Sequence, residues 1–146
     1  MKIIANNRKA SFEYFLLDKF EAGIVLHGSE VKSLRSNPAN LEDAFVVVRD
    51  TNVIIKNLYI KPYEKATSFV VDPRIDRKLL LNKKEILKLL RETKNDGITI
   101  IPTKIYFKNN LVKLEIAIAK GKKLYDKRET IKRKEILRQK SRHIFD

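Results

Sequence analysis

The stretch Leu111-Val112-Lys113-Leu114-Glu115-Ile116-Ala117-Ile118-Ala119 decides the fold class. Val112, Leu114, Ile116 and Ile118 alternate with Lys113, Glu115, Ala117 and Ala119. That period of two is the pattern of a strand with one face against a core. Just before it, Asn109-Asn110 fits a tight turn, because Asn tolerates positive φ. Residues 103–108 then read as the strand leading into that turn. Residues 98–101 form a further strand, with Pro102 at its end or on an edge.

Reading outward from this hairpin, the β-branched runs 44–49 and 53–60 flank Asp50-Thr51-Asn52 and predict a second hairpin with a three-residue loop. Phe12, Tyr14 and Leu16 alternate as a half-buried strand, and residues 23–26 continue as another. Gly28 ends that strand, with Ser29 as N-cap of a short amphipathic turn over 30–35. Asn37-Pro38 marks a loop, and residues 64–78 read as an irregular connection. Asn82-Lys83-Lys84-Glu85 has the form of a capping box ahead of Ile86, Leu87, Leu89 and Leu90, and Asn95-Asp96-Gly97 supplies the stop. About six antiparallel strands and only two helices predict a mainly β fold. An OB-like closed β-barrel with two flanking α-helices is the leading architecture.

The length of 146 residues fits one domain. Lys and Arg number 32 against 18 Asp and Glu, a net charge of +14 that attracts polyanions. Residues 120–146 hold eleven Lys or Arg and four acids, half of the net charge. The chain therefore divides into a body, residues 1–123, and a basic tail, residues 124–146. The tail has no full apolar stripe and is expected to be disordered alone and helical on a partner surface. Cysteine is absent, which excludes disulfides and thiolate metal sites and fits a reducing compartment. No apolar run approaches a membrane span, and Ile3-Ile4-Ala5 is too short for a signal-peptide core, so the expected location is cytoplasmic, with no membrane partner.

Motifs for catalysis are nearly absent. The two histidines are His27, which reads as a strand-end residue, and His143 in the tail, and neither has a nucleophile partner. Lys120-Gly121-Lys122 lacks the upstream Gly and the downstream Ser or Thr of a phosphate loop. Acids and histidines show no metal-ligand spacing. No catalytic residue, metal or cofactor is expected. Scattered Lys and Arg with Tyr14, Tyr59, Tyr63, Tyr106 and Tyr125 fit RNA binding through phosphates and ring stacking, although any one Tyr in the body reads first as strand packing.

The collected segments resemble a known family. Asn7-Arg8-Lys9-Ala10 with Tyr14, Glu21-Ala22-Gly23-Ile24, and Gly28-Ser29-Glu30-Val31-Lys32-Ser33-Leu34-Arg35 are similar to its N-terminal signature. Asp72-Pro73-Arg74, Arg77 to Asn82 and Glu85-Ile86 match the middle one. Ala119-Lys120-Gly121-Lys122-Lys123 and Asp126-Lys127-Arg128 match the last. The chain resembles small protein B, the tmRNA-binding (SsrA-binding) family of bacterial trans-translation, over nearly its whole length. The resemblance implies binding to the tRNA-like domain of tmRNA and its delivery to stalled 70S ribosomes. The body then stands near the decoding centre, and the tail enters the empty mRNA channel as a helix. It further implies elongation factor Tu as a partner in the delivered complex, and no catalysis by the protein. The protein is expected as a monomer.

Carried over by position, the resemblance implies RNA binding by Asn7, Arg8, Glu21, Lys32, Arg35, Leu80, Asn82, Lys122 and Lys123. It implies ribosome contact by Asp126, Lys127, Arg128, Lys132, Arg133 and Lys134 of the tail. From the residues themselves several alternatives stand. Asn82 reads equally as a helix N-cap. Leu80 reads as core, or, if exposed, as a nonpolar contact to a base or ribose. Glu21 is an ion-pair partner of a neighbouring Lys or Arg, or a carboxylate accepting from a base amino group. Asn7 is a turn residue or an amide reading a base edge. Glu30 and Ser33 are assigned to structure. The family commonly has His two residues before the Tyr14 position, where this chain has Phe12.

Overall fold

The computed structural model describes residues 1–63 and 71–121. Among these are nine strands and three helices, more than the six and two expected. The strands are β1 (Lys2–Asn6), β2 (Tyr14–Ile24), β3 (Ala39–Asn40), β4 (Phe45–Arg49), β5 (Asn52–Lys56), β6 (Tyr59–Ile60), β7 (Arg77–Leu80), β8 (Ile98–Lys108) and β9 (Leu111–Gly121). The helices are α1 (Ala10–Glu13), α2 (Gly28–Ser36) and α3 (Lys83–Glu92). The mainly β class is as expected. Seven strands form one antiparallel sheet in the order β1-β8-β4-β5-β7-β2-β9. β8 also pairs with β9, so six strands form a ring and β1 lies outside it on β8. β4 and β8 close the ring through the single pair Val46↔Ile100.

The stretch quoted above is β9, and its alternation holds. Leu114, Ile116 and Ile118 point into the ring among Ala22, Ile55, Leu79, Ile100 and Ile105. Asn109 and Asn110, at φ +51 and +65, make the expected two-residue turn between Lys108 and Leu111.

The other expected strands need correction, and β-bulges are the main reason. β8 is one strand of eleven residues, although its sequence reads as two. Its register against β9 shifts between Pro102 and Lys104, so the core-facing positions change phase from Ile100 to Ile105. A bulge adds one residue to one strand and turns the following side chains to the other face. In β2 a shift between Leu16 and Lys19 does the same. Leu16 packs in a small outer cluster with Ala10, Ile101 and Ala119, while Phe20, Ala22 and Ile24 face the main core. The expected strand through Phe12 is therefore helix α1 followed by the start of β2.

The β4–β5 hairpin turns on Asp50-Thr51 alone, with Asp50 at φ +55 and Asn52 already paired to Arg49. The run after β5 breaks at Asn57, φ +60, and resumes as β6 paired with β3. β7 begins at the end of the segment 64–78 that reads as irregular and runs on to Leu80. Helix α2 begins two residues earlier than expected, capped at His27 rather than Ser29, because the Glu30 carboxylate accepts from the His27 backbone N–H at 3.0 Å.

Glu30 also anchors α2 to the sheet. Its other oxygen accepts from Nε of buried Arg77 at 2.7 Å and from Nη2 of the same guanidinium. Arg77 Nη1 donates to the Leu58 carbonyl at 2.6 Å and Nη2 to the Pro73 carbonyl at 3.0 Å. A buried ion pair is tolerated when its remaining donors are satisfied in this way. Ser33, fully buried, donates to the Lys61 carbonyl at 2.5 Å.

Candidate nucleic-acid interface

The register places two of the sequence-predicted residues, Glu21 and Leu80, on one outer face. Ala22 and Ile24 point inward, so Glu21 and Gly23 point outward. Gly23 pairs with Leu80 on β7 and with Lys113 on β9. Leu79 is in the core, which turns Leu80 outward at 53% exposure. The core reading of Leu80 is thus corrected. The run Leu79-Leu80-Leu81 has no alternation, and only the pairing sets its phase. A Cβ on Gly23 would stand 3.3 Å from the Leu80 Cβ, so glycine is what lets Leu80 lie close across β2. Glu21 stands two residues along β2 from that pair, and Asn82 follows two residues after the end of β7 and is exposed.

Asn82 is the N-cap of α3. Its side-chain oxygen accepts from Glu85 N–H at 2.9 Å, and its own N–H donates to the Glu85 carboxylate at 3.2 Å. The expected capping box is present, and Asn82 is exposed.

Glu21 is held from the far side of β9. The Tyr106 hydroxyl donates to Glu21 Oε2, and Lys108 Nζ stands 3.4 Å from both carboxylate oxygens. Tyr106 is only 3% exposed, so its ring is not open for stacking. The hydrogen bond from Tyr106 holds the Glu21 carboxyl below its usual value, against the effect of burial, and Lys108 and Lys113 help. Burial, followed by the Glu21 contact, raises the Tyr106 phenol. Tyr106 and Lys108 do not stand out as partners of Glu21 in the sequence. The only signal is the outward phase of the Lys104-Ile105-Tyr106-Phe107-Lys108 alternation.

Asn7 lies elsewhere and is turned inward. Its N–H donates to the Thr103 carbonyl at 2.8 Å, and its side-chain amide donates to the carbonyls of Pro102 at 2.9 Å and Leu41 at 3.4 Å. Pro102 has no N–H to give, and Asn7 fills the place where β8 changes partner from β4 to β1. The base-edge reading of Asn7 is therefore corrected to a structural one.

Arg8 is exposed, and nothing brings it beside Glu21. Lys32 and Arg35, three apart on α2, are exposed on one face. Lys32 Nζ lies 6.0 Å from the Tyr63 ring centre. Arg35 lines an open cleft of about 420 Å³ with Lys2 and the Asn109-Asn110 turn, which follows Lys108 directly. Lys122, Lys123, Asp126, Lys127, Arg128, Lys132, Arg133 and Lys134 lie outside the described residues. Among the described residues no group of three His, Cys, Asp or Glu side chains has metal-binding geometry, and no helix is long and apolar enough to cross a membrane.

The model of the family described as "SmpB protein" matches residues 4–146. The chain belongs to the SmpB protein family. An SsrA-binding protein of Sulfurihydrogenibium sp. (strain YO3AOP1) is 53% identical over 138 residues, 94% of this chain and 91% of the relative. One from Enterococcus faecalis (strain ATCC 700802 / V583) is 52% identical over 98% of this chain and 93% of its own. A solved structure described as "tmRNA-SmpB: a journey to the center of the bacterial ribosome" matches with a TM-score of 0.73 and 43% identity, over 89% of this chain and 92% of that one. Phe12, where the resemblance leads one to expect His, stands 78% exposed on α1.

Proposed function

We propose that this SmpB-family chain binds the tRNA-like domain of tmRNA and brings it to stalled ribosomes in trans-translation. The observation that carries the reading is the outer face that Glu21 and exposed Leu80 share, with exposed Asn82 just past the end of β7, in a chain that matches the family over residues 4–146. The relatives' name and the description of the similar solved structure support it. Lys32 and Arg35, with Arg8, Lys122 and Lys123, supply phosphate contacts, and Asn7 acts by holding the fold. The tail residues Asp126, Lys127, Arg128, Lys132, Arg133 and Lys134 contact the ribosome along the mRNA channel. In this reading the six-stranded ring is an OB-like closed barrel, and the protein is a cytoplasmic, non-enzymatic monomer. Elongation factor Tu joins it on the charged RNA.

The test is affinity for the tRNA-like domain, for ordinary tRNA and for duplex RNA across a salt series. Each Lys or Arg on a phosphate steepens the salt dependence for all three. Retained preference for the tRNA-like domain at elevated salt is expected. Equal affinities at every salt concentration would replace this reading with general RNA binding.

A further inference from the structure

We propose that an acidic cleft between α1, the loop ahead of β4 and the start of β8 holds the first basic residues of the tail, Lys122 to Arg128, when no RNA is bound. The inference concerns the chain alone and does not rest on the functional reading above.

The cleft has a volume of about 370 Å³. Asn7, Ala10, Ala44 and Ile101 line it and are buried, while Glu13, Glu42 and Asp43 bring three carboxylates to it. Lys9 Nζ, 3.6 Å from Glu42 Oε2, answers one of them. Among the described residues Glu13 and Asp43 have no ion-pair partner. In a chain of net charge +14, a cleft with excess negative charge repels phosphate and draws a cation. A second feature is independent of that charge. Asn7 is 9% exposed, and its Oδ1 is buried with no hydrogen-bond partner. Its Nδ2 already donates to the Pro102 and Leu41 carbonyls, so turning the amide over gives no relief. An unmet buried acceptor is costly, and this one lies in a residue that lines the cleft. Both features ask for a donor that is also a cation, an ammonium or a guanidinium.

The path of the chain supplies one. Gly121, the last residue of β9, pairs with Tyr14 at the start of β2, next to Glu13. Its N–H donates to the Gly97 carbonyl at 3.3 Å, two residues ahead of Thr99 in the cleft wall. The chain therefore leaves the body beside the cleft, and Lys122 and Lys123 come next. Lys127 and Arg128 follow within about 25 Å, at ~3.4 Å per extended residue. So short a tether holds these cations at a roughly millimolar local concentration, which no separate basic partner matches without being bound.

The experiment uses the full chain without RNA, at low salt, where exposed charges are least screened. A carbodiimide, which joins a carboxylate directly to an amine, is expected to link Glu13 or Asp43 to Lys122, Lys123 or Lys127 within one molecule, as read by mass spectrometry. Glu13→Gln and Asp43→Asn should each remove their link. Each should also speed tryptic cleavage between Lys122 and Arg128 by roughly two- to fivefold, the scale of one or two exposed ion pairs. Asp50→Asn, an equal charge change at the β4–β5 turn, should leave that rate unchanged. Absence of the links overturns the proposal, as does an unchanged cleavage rate in both cleft variants. Links found only between two molecules would give the cleft to a second copy instead. Equal acceleration by Asp50→Asn would reduce the effect to net charge and overturn it as well.

Discussion

At Glu21 the charge is kept by neighbours that are remote in sequence. The groups facing it are Tyr106 and Lys108 on β8 and Lys113 and Glu115 on β9. The Tyr106 hydrogen bond is the largest influence, and it lowers the carboxyl pKa from the ordinary 4.5. A depressed carboxylate pKa contributes stability that is present above the unfolded-state value and is lost as pH falls through the folded one. An NMR titration of the Glu21 carboxyl should give a midpoint below 4.5 in the wild type, rising toward 4.5 in Tyr106→Phe. An unmoved midpoint in that variant would remove Tyr106 as the holder of the charge. At this scale the sequence located Glu21, Leu80 and Asn82 through motifs. It left their orientation open: Leu79-Leu80-Leu81 carries no phase, and Asn7 looks as free as any Asn before an Arg. Glu21 meets Tyr106 85 residues on, and Asn7 meets Leu41 and Pro102 34 and 95 residues on.

Among the elements, the start of α3 and the alternation of β9 are legible, since a capping box and a strict alternation are local patterns, while α3 ends at Glu92, before the Asn95-Asp96-Gly97 stop. β2 and β8 are not, because each contains a bulge that reverses the alternation midway and makes one strand look like two segments. Asn82 joins the element to the site, as both helix cap and exposed amide. Asn82→Ala should cost about 1 kcal/mol of stability in urea denaturation through the lost cap. Asn82→Ser keeps a capping oxygen and should be stable to within a few tenths of that, while losing RNA affinity as much as the alanine variant does. Full RNA affinity in Asn82→Ser would confine Asn82 to the cap.

On the scale of the whole molecule, charge and site are divided between the body and the tail. Truncation after Tyr125 should leave affinity for the tRNA-like domain largely intact, because Glu21, Leu80 and Asn82 all lie in the described body. The same truncation should abolish tagging on stalled ribosomes in a reconstituted translation assay. Tagging at the wild-type rate would remove the tail from the mechanism. By itself, the sequence determined the mainly β class, the β8–β9 turn, the α3 cap, the basic charge and the family, since each is written in neighbouring residues or in ordered short motifs. Only the tertiary structure decided that β8 meets β9 to complete the ring, that Leu80 faces out, that Asn7 faces in, and that Tyr106 holds Glu21. The physical reason is that strand register is a long-range property. One bulge or one slipped pair sends every following side chain to the opposite face, and nothing in the local pattern records which partner strand will lie beside it.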